Sequence, residues 1–331
     1  MPSNSDGGPT AWFMPGYALQ GPGFAQNASS LATYPNMQEG TTLWYHPHDQ
    51  GLTRINVYTG LAGFYFLRGT YEDAMQLPGW SGDDKVVEVT PVGKSTTFNT
   101  AFFGGVPTSY LPEIELAVQD RMFNVKGELY WPVAPTNPDA HPFWTPEFFG
   151  DVMTVNGKTW PYLSVAPRKY MFRLLDGCNA RFLNVWLMNL ANATNGPKIT
   201  VVATDGGFMD KPVEIAPGQK LFLAPAERPL IVIDFTGLAG QTFTLMNDAP
   251  APYPTGVPVT LGLTDRIMQF VVNGNMVSAA NPAVVGTDKS AALAVTTNLR
   301  PVPNIPLVKL TNFAGVITGG VVVAKTRQLL L

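Results

Sequence analysis

Two of the three histidines in this 331-residue chain stand two residues apart, in Trp44-Tyr45-His46-Pro47-His48. Imidazole nitrogen is a common ligand for copper and zinc, and two rings on one side of a chain are the beginning of a metal centre. In an extended chain, residues i and i+2 point the same way. Thr41 to His48 alternates like a strand and is therefore expected to present His46 and His48 on one face. Pro47 has no N–H to give a ladder, which places the pair at a sheet edge or a strand end. The same spacing also occurs in strand histidines that bind nothing. Two imidazoles alone leave a zinc or copper site short of ligands, so further donors must come from elsewhere. His141, in Asp139-Ala140-His141-Pro142, reads as a solvated loop residue. Cys178, the one cysteine, has Gly177 and Asn179 as neighbours and no flanking histidine, so it reads as a small buried apolar residue. Met209, Met246 and Met268 lie in apolar strands or at their ends and read as core.

The elements that would hold the pair follow directly. Asp49 to Gly51 turns the chain, Leu52 to Tyr58 carries Leu52 and Ile55 near helical spacing, and Gly60 ends that turn before Gly63 to Leu67 resumes as an apolar strand. Further on, strands are expected at Val86–Val92, Ile114–Gln119, Val152–Val155, Lys169–Leu175, Phe182–Met188, Ile199–Ala203, Gln219–Leu223, Leu230–Phe235, Gln241–Met246 and Met268–Val272, with turn signals between them. That cadence suits an all-β chain of Greek-key sandwich or barrel domains. Composition agrees. There are 32 Gly and 30 Pro for tight turns, and 45% hydrophobic residues supply a core. The net charge of −3, with 14% charged residues, provides no basic field for nucleic acid or an anionic membrane. No apolar run reaches the ~18 residues of a membrane span, and the N-terminus lacks the basic-then-apolar pattern of a signal peptide. Gly-x-Ser-x-Gly, phosphate-loop and His-Glu-x-x-His signatures are absent.

Beyond spacing, the segment from Trp44 through Gly51-Leu52-Thr53-Arg54-Ile55-Asn56-Val57-Tyr58 to Gly60-Leu61-Ala62-Gly63-Phe64-Tyr65 closely resembles the second histidine motif of bacterial multicopper oxidases of the laccase, spore-coat oxidase and bilirubin oxidase group. Val118-Gln119-Asp120-Arg121-Met122-Phe123-Asn124, Thr154-Val155-Asn156-Gly157-Lys158, Arg173 to Phe182, Asp205-Gly206-Gly207-Phe208 and Ala226-Glu227-Arg228 resemble that family's second cupredoxin domain, in the same order.

The resemblance implies cupredoxin-like domains: a partial first domain over 1–68, a polar connector over 69–84, a second domain over 85–273, an extended connector over 274–320, and the first strand of a third domain over 321–331. It implies that the first histidine motif and the third domain, with its His-Cys-His signature, lie outside this chain. Copper is the implied cofactor, with His46 and His48 at positions that ligate the binuclear type 3 pair. Dioxygen and a reducing phenol, bilin or low-valent metal ion are the implied reactants, the third domain or a partner chain the implied complement, and a periplasmic or extracellular setting the implied location. Asp205, Glu227 and Arg228 match internal salt-bridge and turn residues. Three readings stay open: a portion of an oxidase that is inactive alone, a copper-free cupredoxin scaffold, and one chain of a split oxidase.

Overall fold

The structure, a computed structural model, describes residues 36–48, 53–83, 112–132, 147–274 and 288–300. It opens with a hairpin, β1 (Thr41–Tyr45) and β2 (Gly63–Leu67), that encloses the helical turn α1 (Thr53–Tyr58). A second short helix, α2 (Thr70–Met75), follows. Next come β3 (Glu113–Arg121), β4 (Val152–Val155), β5 (Lys158–Thr159), β6 (Tyr162–Val165), β7 (Lys169–Asp176), β8 (Leu183–Asn189), β9 (Thr194–Asn195), β10 (Ile199–Thr204), β11 (Gly207–Ile215), β12 (Leu221–Leu223), β13 (Leu230–Asp234), β14 (Thr242–Asn247) and β15 (Arg266–Val272).

The later strands form a sandwich. One sheet has seven strands in the order β11-β10-β13-β7-β3-β4-β5, and the other runs β12-β8-β14-β15-β6 with β9 added to β8. Pairing is antiparallel except at β3–β7 and β6–β15. The mostly-β architecture agrees with the expected fold class.

Burial along β7 explains why the seven-stranded sheet reads as unbroken apolar runs. Tyr170, Phe172 and Leu174 face the space between the sheets, where they join Phe235, Phe243 and Phe270 in the main core. Met171, with Leu230 and Val232 of β13, faces outward into a second cluster closed by Leu77, Leu299 and the half-buried Met75 and Leu293. A sheet covered on both faces loses the alternation of a half-exposed one. The outer cover consists of the hairpin, the α2 segment and residues 288–300. Segment 69–83 is therefore not only a polar linker: it holds a helix and a buried leucine, because Leu77 finds apolar partners on β10 and β13. Residues 288–300, within the stretch expected to be an extended connector, are docked in the same way. Asp83, beside α2, accepts hydrogen bonds from Arg168 (2.7 Å) and from the backbone N–H of Lys289 (3.0 Å), tying both segments to the sandwich.

Of the nine expected sandwich strands that fall on described residues, Val152–Val155 matches at both ends and the other eight differ by one or two residues at one end or both, while β5, β6, β9 and β11 are not among those expected. The expected strand Val86–Val92, the turn at Asp49–Gly51, His141 and residues 321–331 lie outside the described residues.

Candidate metal site at the histidine hairpin

Register fixes where the two histidines sit. Thr41 pairs with Leu67, Thr42 with Phe66, Leu43 with Tyr65, Trp44 with Phe64 and Tyr45 with Gly63. Gly63 is the first residue of β2, so the ladder has no rung beyond Tyr45. The expected strand to His48 is corrected here: it ends at Tyr45, and His46-Pro47-His48 continues past the sheet. Pro47 cannot donate and β2 offers no residue opposite. Glycine at position 63 leaves room for the Tyr45 ring to lie across the ladder, since a Cβ there would lie 2.6 Å from the phenol oxygen and the exposed ring would have to turn away.

The two imidazoles nevertheless fall on the same side. Their ring centroids are 6.1 Å apart with planes inclined by 27°. The Trp44 ring, two residues earlier on the same face, packs on His46 at 4.5 Å. His46 Nδ1 is 2.9 Å from the Pro47 carbonyl oxygen. A ring N–H at Nδ1 satisfies that acceptor and leaves the Nε2 lone pair for a metal, the usual division of labour in a ligating histidine. His46 is half-buried and His48 exposed, so an ion has access. Nitrogen donors of this type fit copper. Among the described residues no group of three or more His, Cys, Asp or Glu is placed to hold a metal ion; the pair offers part of a coordination sphere.

Position is imposed on this hairpin by the sandwich. Arg173 of β7 is fully buried (0% exposed), and its guanidinium donates to Thr42 Oγ1 (2.8 Å), Glu72 (2.9 Å) and Glu113 (2.5 Å). It also lies over the Phe66 ring at 4.7 Å. Arg68 completes the knot with Glu113 at 2.7 Å and Glu72 at 3.4 Å. Arg228 donates through Nε to the Thr42 carbonyl (2.9 Å), while Thr41 Oγ1 donates to the Asp205 carbonyl (2.9 Å). Asp205 Oδ1 accepts from the Arg228 N–H (2.7 Å), and Glu227 accepts from the Ala224 N–H (2.7 Å). The structural role expected for Asp205, Glu227 and Arg228 is what the geometry displays. Sequence reasoning gave no role to Thr42, Arg68, Glu72, Glu113 or Arg173 at the hairpin. An arginine between hydrophobic residues in a run otherwise buried, Met171-Phe172-Arg173-Leu174, was the available signal.

At the far end of α1, the Tyr58 ring enters a nest of Trp131 (4.9 Å) and Phe148 (4.6 Å). Its hydroxyl meets the carbonyl oxygens of Tyr130 (2.7 Å) and Met122 (3.0 Å). Burial raises the phenol pKa, opposed by the Met122 N–H, which donates to the Tyr58 oxygen at 3.1 Å, and by Arg121.

Cys178 takes no part in the pair. It is buried and its thiol pKa is pushed well up, first by burial and then by Asp176 and Asp120. That is the reverse of the environment that favours a metal-binding thiolate. Its N–H donates to Asp176 Oδ1 (3.0 Å). Met246 and Met268 are buried in strands, and Met209 packs against both apolar clusters from a half-buried position, so all three methionines belong to the packing.

No family profile matches the chain, but individual proteins do. It is 36% identical over 270 residues to Multicopper oxidase LPR1 of Arabidopsis thaliana, covering 81% of this chain and 39% of that protein. Identity to a laccase of Bacillus subtilis (strain 168) is 35% over 274 residues, 82% of this chain and 44% of the laccase. Against a bilirubin oxidase of Albifimbria verrucaria it is 30% over 270 residues, 82% and 38% respectively. The chain thus spans less than half the length of these relatives. In three dimensions it superposes on the McoA multicopper oxidase of Aquifex aeolicus with a TM-score of 0.56 at 23% identity, over 83% of this chain and 47% of that one. That likeness shows the shared fold. On the sequence relationships, the chain belongs to the multicopper oxidase family and is laccase-like over the part it shares with it.

Proposed function

We propose that this chain supplies His46 and His48 as two of the type 3 copper ligands of a laccase-like oxidase, whose remaining ligands come from outside the described residues. The observation that supports this reading is the stacked imidazole pair at 6.1 Å, beyond the last rung of a hairpin that the sandwich holds in place. Bound copper would supply one-electron chemistry, taking electrons from a reducing small molecule and passing them to dioxygen, which takes up protons to become water.

The chain's own residues have simpler tasks. His46 presents Nε2 because Nδ1 is engaged by the Pro47 carbonyl. Trp44 covers one side of that ring and keeps water from it. His48 extends into solvent, toward whatever completes the site. Two fixed imidazoles bind a cupric ion weakly, since affinity grows with each ligand held in place.

Calorimetric titration of the chain with copper(II) at neutral pH tests the assignment. The parent is expected to take up copper, and the His46→Ala/His48→Ala double variant to lose that binding while melting at the parent's temperature. Equal binding by the two would overturn the assignment, and no uptake by either would favour a copper-free scaffold.

A further inference from the structure

We infer that Arg173 is a positioning residue for the histidine pair, acting through Thr42 and Phe66 to set the direction in which His46 and His48 leave the hairpin. The inference rests on the reading of those histidines as copper ligands.

The geometry is specific to one rung. Thr42 and Phe66 are direct partners across the β1–β2 ladder, so their side chains rise from the same face of the hairpin. A single guanidinium touches both: Nη1 donates to Thr42 Oγ1 at 2.8 Å, and the guanidinium carbon stands 4.7 Å from the centre of the Phe66 ring. The grip therefore fixes the tilt of both strands together. From Thr42 the same face continues at steps of two through Trp44 to His46 and His48. Trp44 lies opposite Phe64 and contacts the His46 ring, and Phe64 contacts Phe66 at 5.5 Å. Two ring contacts on paired strands, Phe66 with Phe64 and Trp44 with His46, thus stand between the Arg173 grip and the first imidazole.

The grip is also stiff. Arg173 uses Nε on Glu113 and Nη2 on Glu72, leaving Nη1 for Thr42. Glu113 and Glu72 have side chains only 6% and 10% exposed. Arg68 approaches the second oxygen of Glu72 and both oxygens of Glu113, and also lies over Phe66, at 5.4 Å. Two positive and two negative groups balance one another, so the knot needs no counter-ion. A two-stranded hairpin has little rigidity of its own, and the directional fork of an arginine conveys that of the sandwich to it.

The test uses the whole chain and copper(II) alone as the probe. Thr42→Val removes only the hydroxyl that Arg173 grips, Thr42→Ser restores it, and Arg173→Lys keeps the charge but not the fork. Copper affinity should fall by about tenfold or more in Thr42→Val and Arg173→Lys, the range typical of lost support around metal ligands, and return to within about twofold of the parent in Thr42→Ser. The cupric EPR spectrum should change with it. Parent affinity and spectrum in Thr42→Val would overturn the inference even if that variant melted earlier, because a purely structural contact lowers stability without altering the site. In copper-free samples, the inter-ring NOE between His46 and His48 should weaken in Thr42→Val and persist in Thr42→Ser. A parent that binds no more copper than the double alanine variant would defeat the ligand assignment alone; the NOE would then decide the positioning role, and its persistence in Thr42→Val would overturn it.

Discussion

Replacing Asp83 by alanine should cost more stability than its place in a loop suggests. Its side chain is fully buried, and both carboxylate oxygens lie 2.7 Å from Arg168 Nη2, itself on a side chain 3% exposed. The same carboxylate accepts the N–H of Gly79 at 3.0 Å and that of Lys289 at 3.0 Å. Alanine leaves Arg168 buried with Asp288 at 3.7 Å and strands two backbone donors. Removing one partner of a buried ion pair costs about 3–5 kcal/mol. A stranded buried donor costs about 1–3 kcal/mol, partly the same energy counted again, so a total near 4 kcal/mol is expected. That is a large part of the ~5–15 kcal/mol that typically holds a domain together. Asp83→Asn keeps one acceptor oxygen for the backbone and should lose roughly half as much. Urea denaturation followed by tryptophan fluorescence gives both numbers, and limited proteolysis should show cleavage within 288–300 in the alanine variant before the sandwich opens. A loss under about 1 kcal/mol for Asp83→Ala would refute the idea that this carboxylate fastens the outer cover to the sheet.

Asp176 is buried with its pKa raised well above the usual carboxylate value by desolvation, opposed by its bonds from Cys178 and reinforced by Asp120. The folded state holds this proton more tightly than the unfolded chain. The stability it contributes is therefore fully present below the unfolded pKa of about 3.9 and is lost as pH rises toward the folded value. Asp176→Asn keeps an acceptor for the Cys178 N–H and should grow more stable relative to the parent as pH increases from about 4; parallel pH profiles in urea melts would refute this. The Cys178 thiol, buried and raised in pKa, should resist an aromatic disulfide reagent at pH 8 until urea unfolds the chain, and immediate labelling of the native protein would show that the pocket opens.

The parts of the fold legible in the sequence are those in which side-chain pattern and pairing agree. Leu230–Phe235 and Lys169–Leu175 read as strands because an apolar run of that length between turn residues has few other uses, and each ends within one residue of the observed strand. Leu221–Leu223 is shorter than expected, since Gln219 and Lys220 precede the pairing with β8. The strands not anticipated lie at edges. Gly207–Ile215 contains Asp210, Lys211 and Pro212 and pairs only with β10, so one side needs no donors and tolerates proline and charge. Tyr162–Val165 follows Pro161 and pairs only with β15. At the site, the histidine pair was legible because its spacing is a local property. Thr42 and Arg173 were not, because 131 residues separate them and nothing local marks a threonine as the acceptor for a distant guanidinium.

The contrast between core and junction bears on how a metal site can be assembled from separate elements. Apolar contacts between Met171, Val232 and Leu299 hold the outer cover on the sheet without fixing its angle, since such packing tolerates small rotations and hydrophobic burial is non-directional. The contacts that reach the hairpin are of another kind. Arg173, Arg228 and Thr41 each meet a particular acceptor at 2.8–2.9 Å, and hydrogen bonds weaken steeply when misaligned. Burying Arg173 with Glu72 and Glu113 carries a desolvation cost that a leucine cluster would avoid. What the charged junction adds is orientation, and under the proposed ligand role orientation is what the two imidazoles would need, because their partners would come from outside the described residues. If Thr42→Val loosens the imidazole pair while leaving global stability nearly unchanged, the cost of burying those charges is accounted for by the geometry of His46 and His48, and the hairpin and sandwich behave as one unit behind the pair.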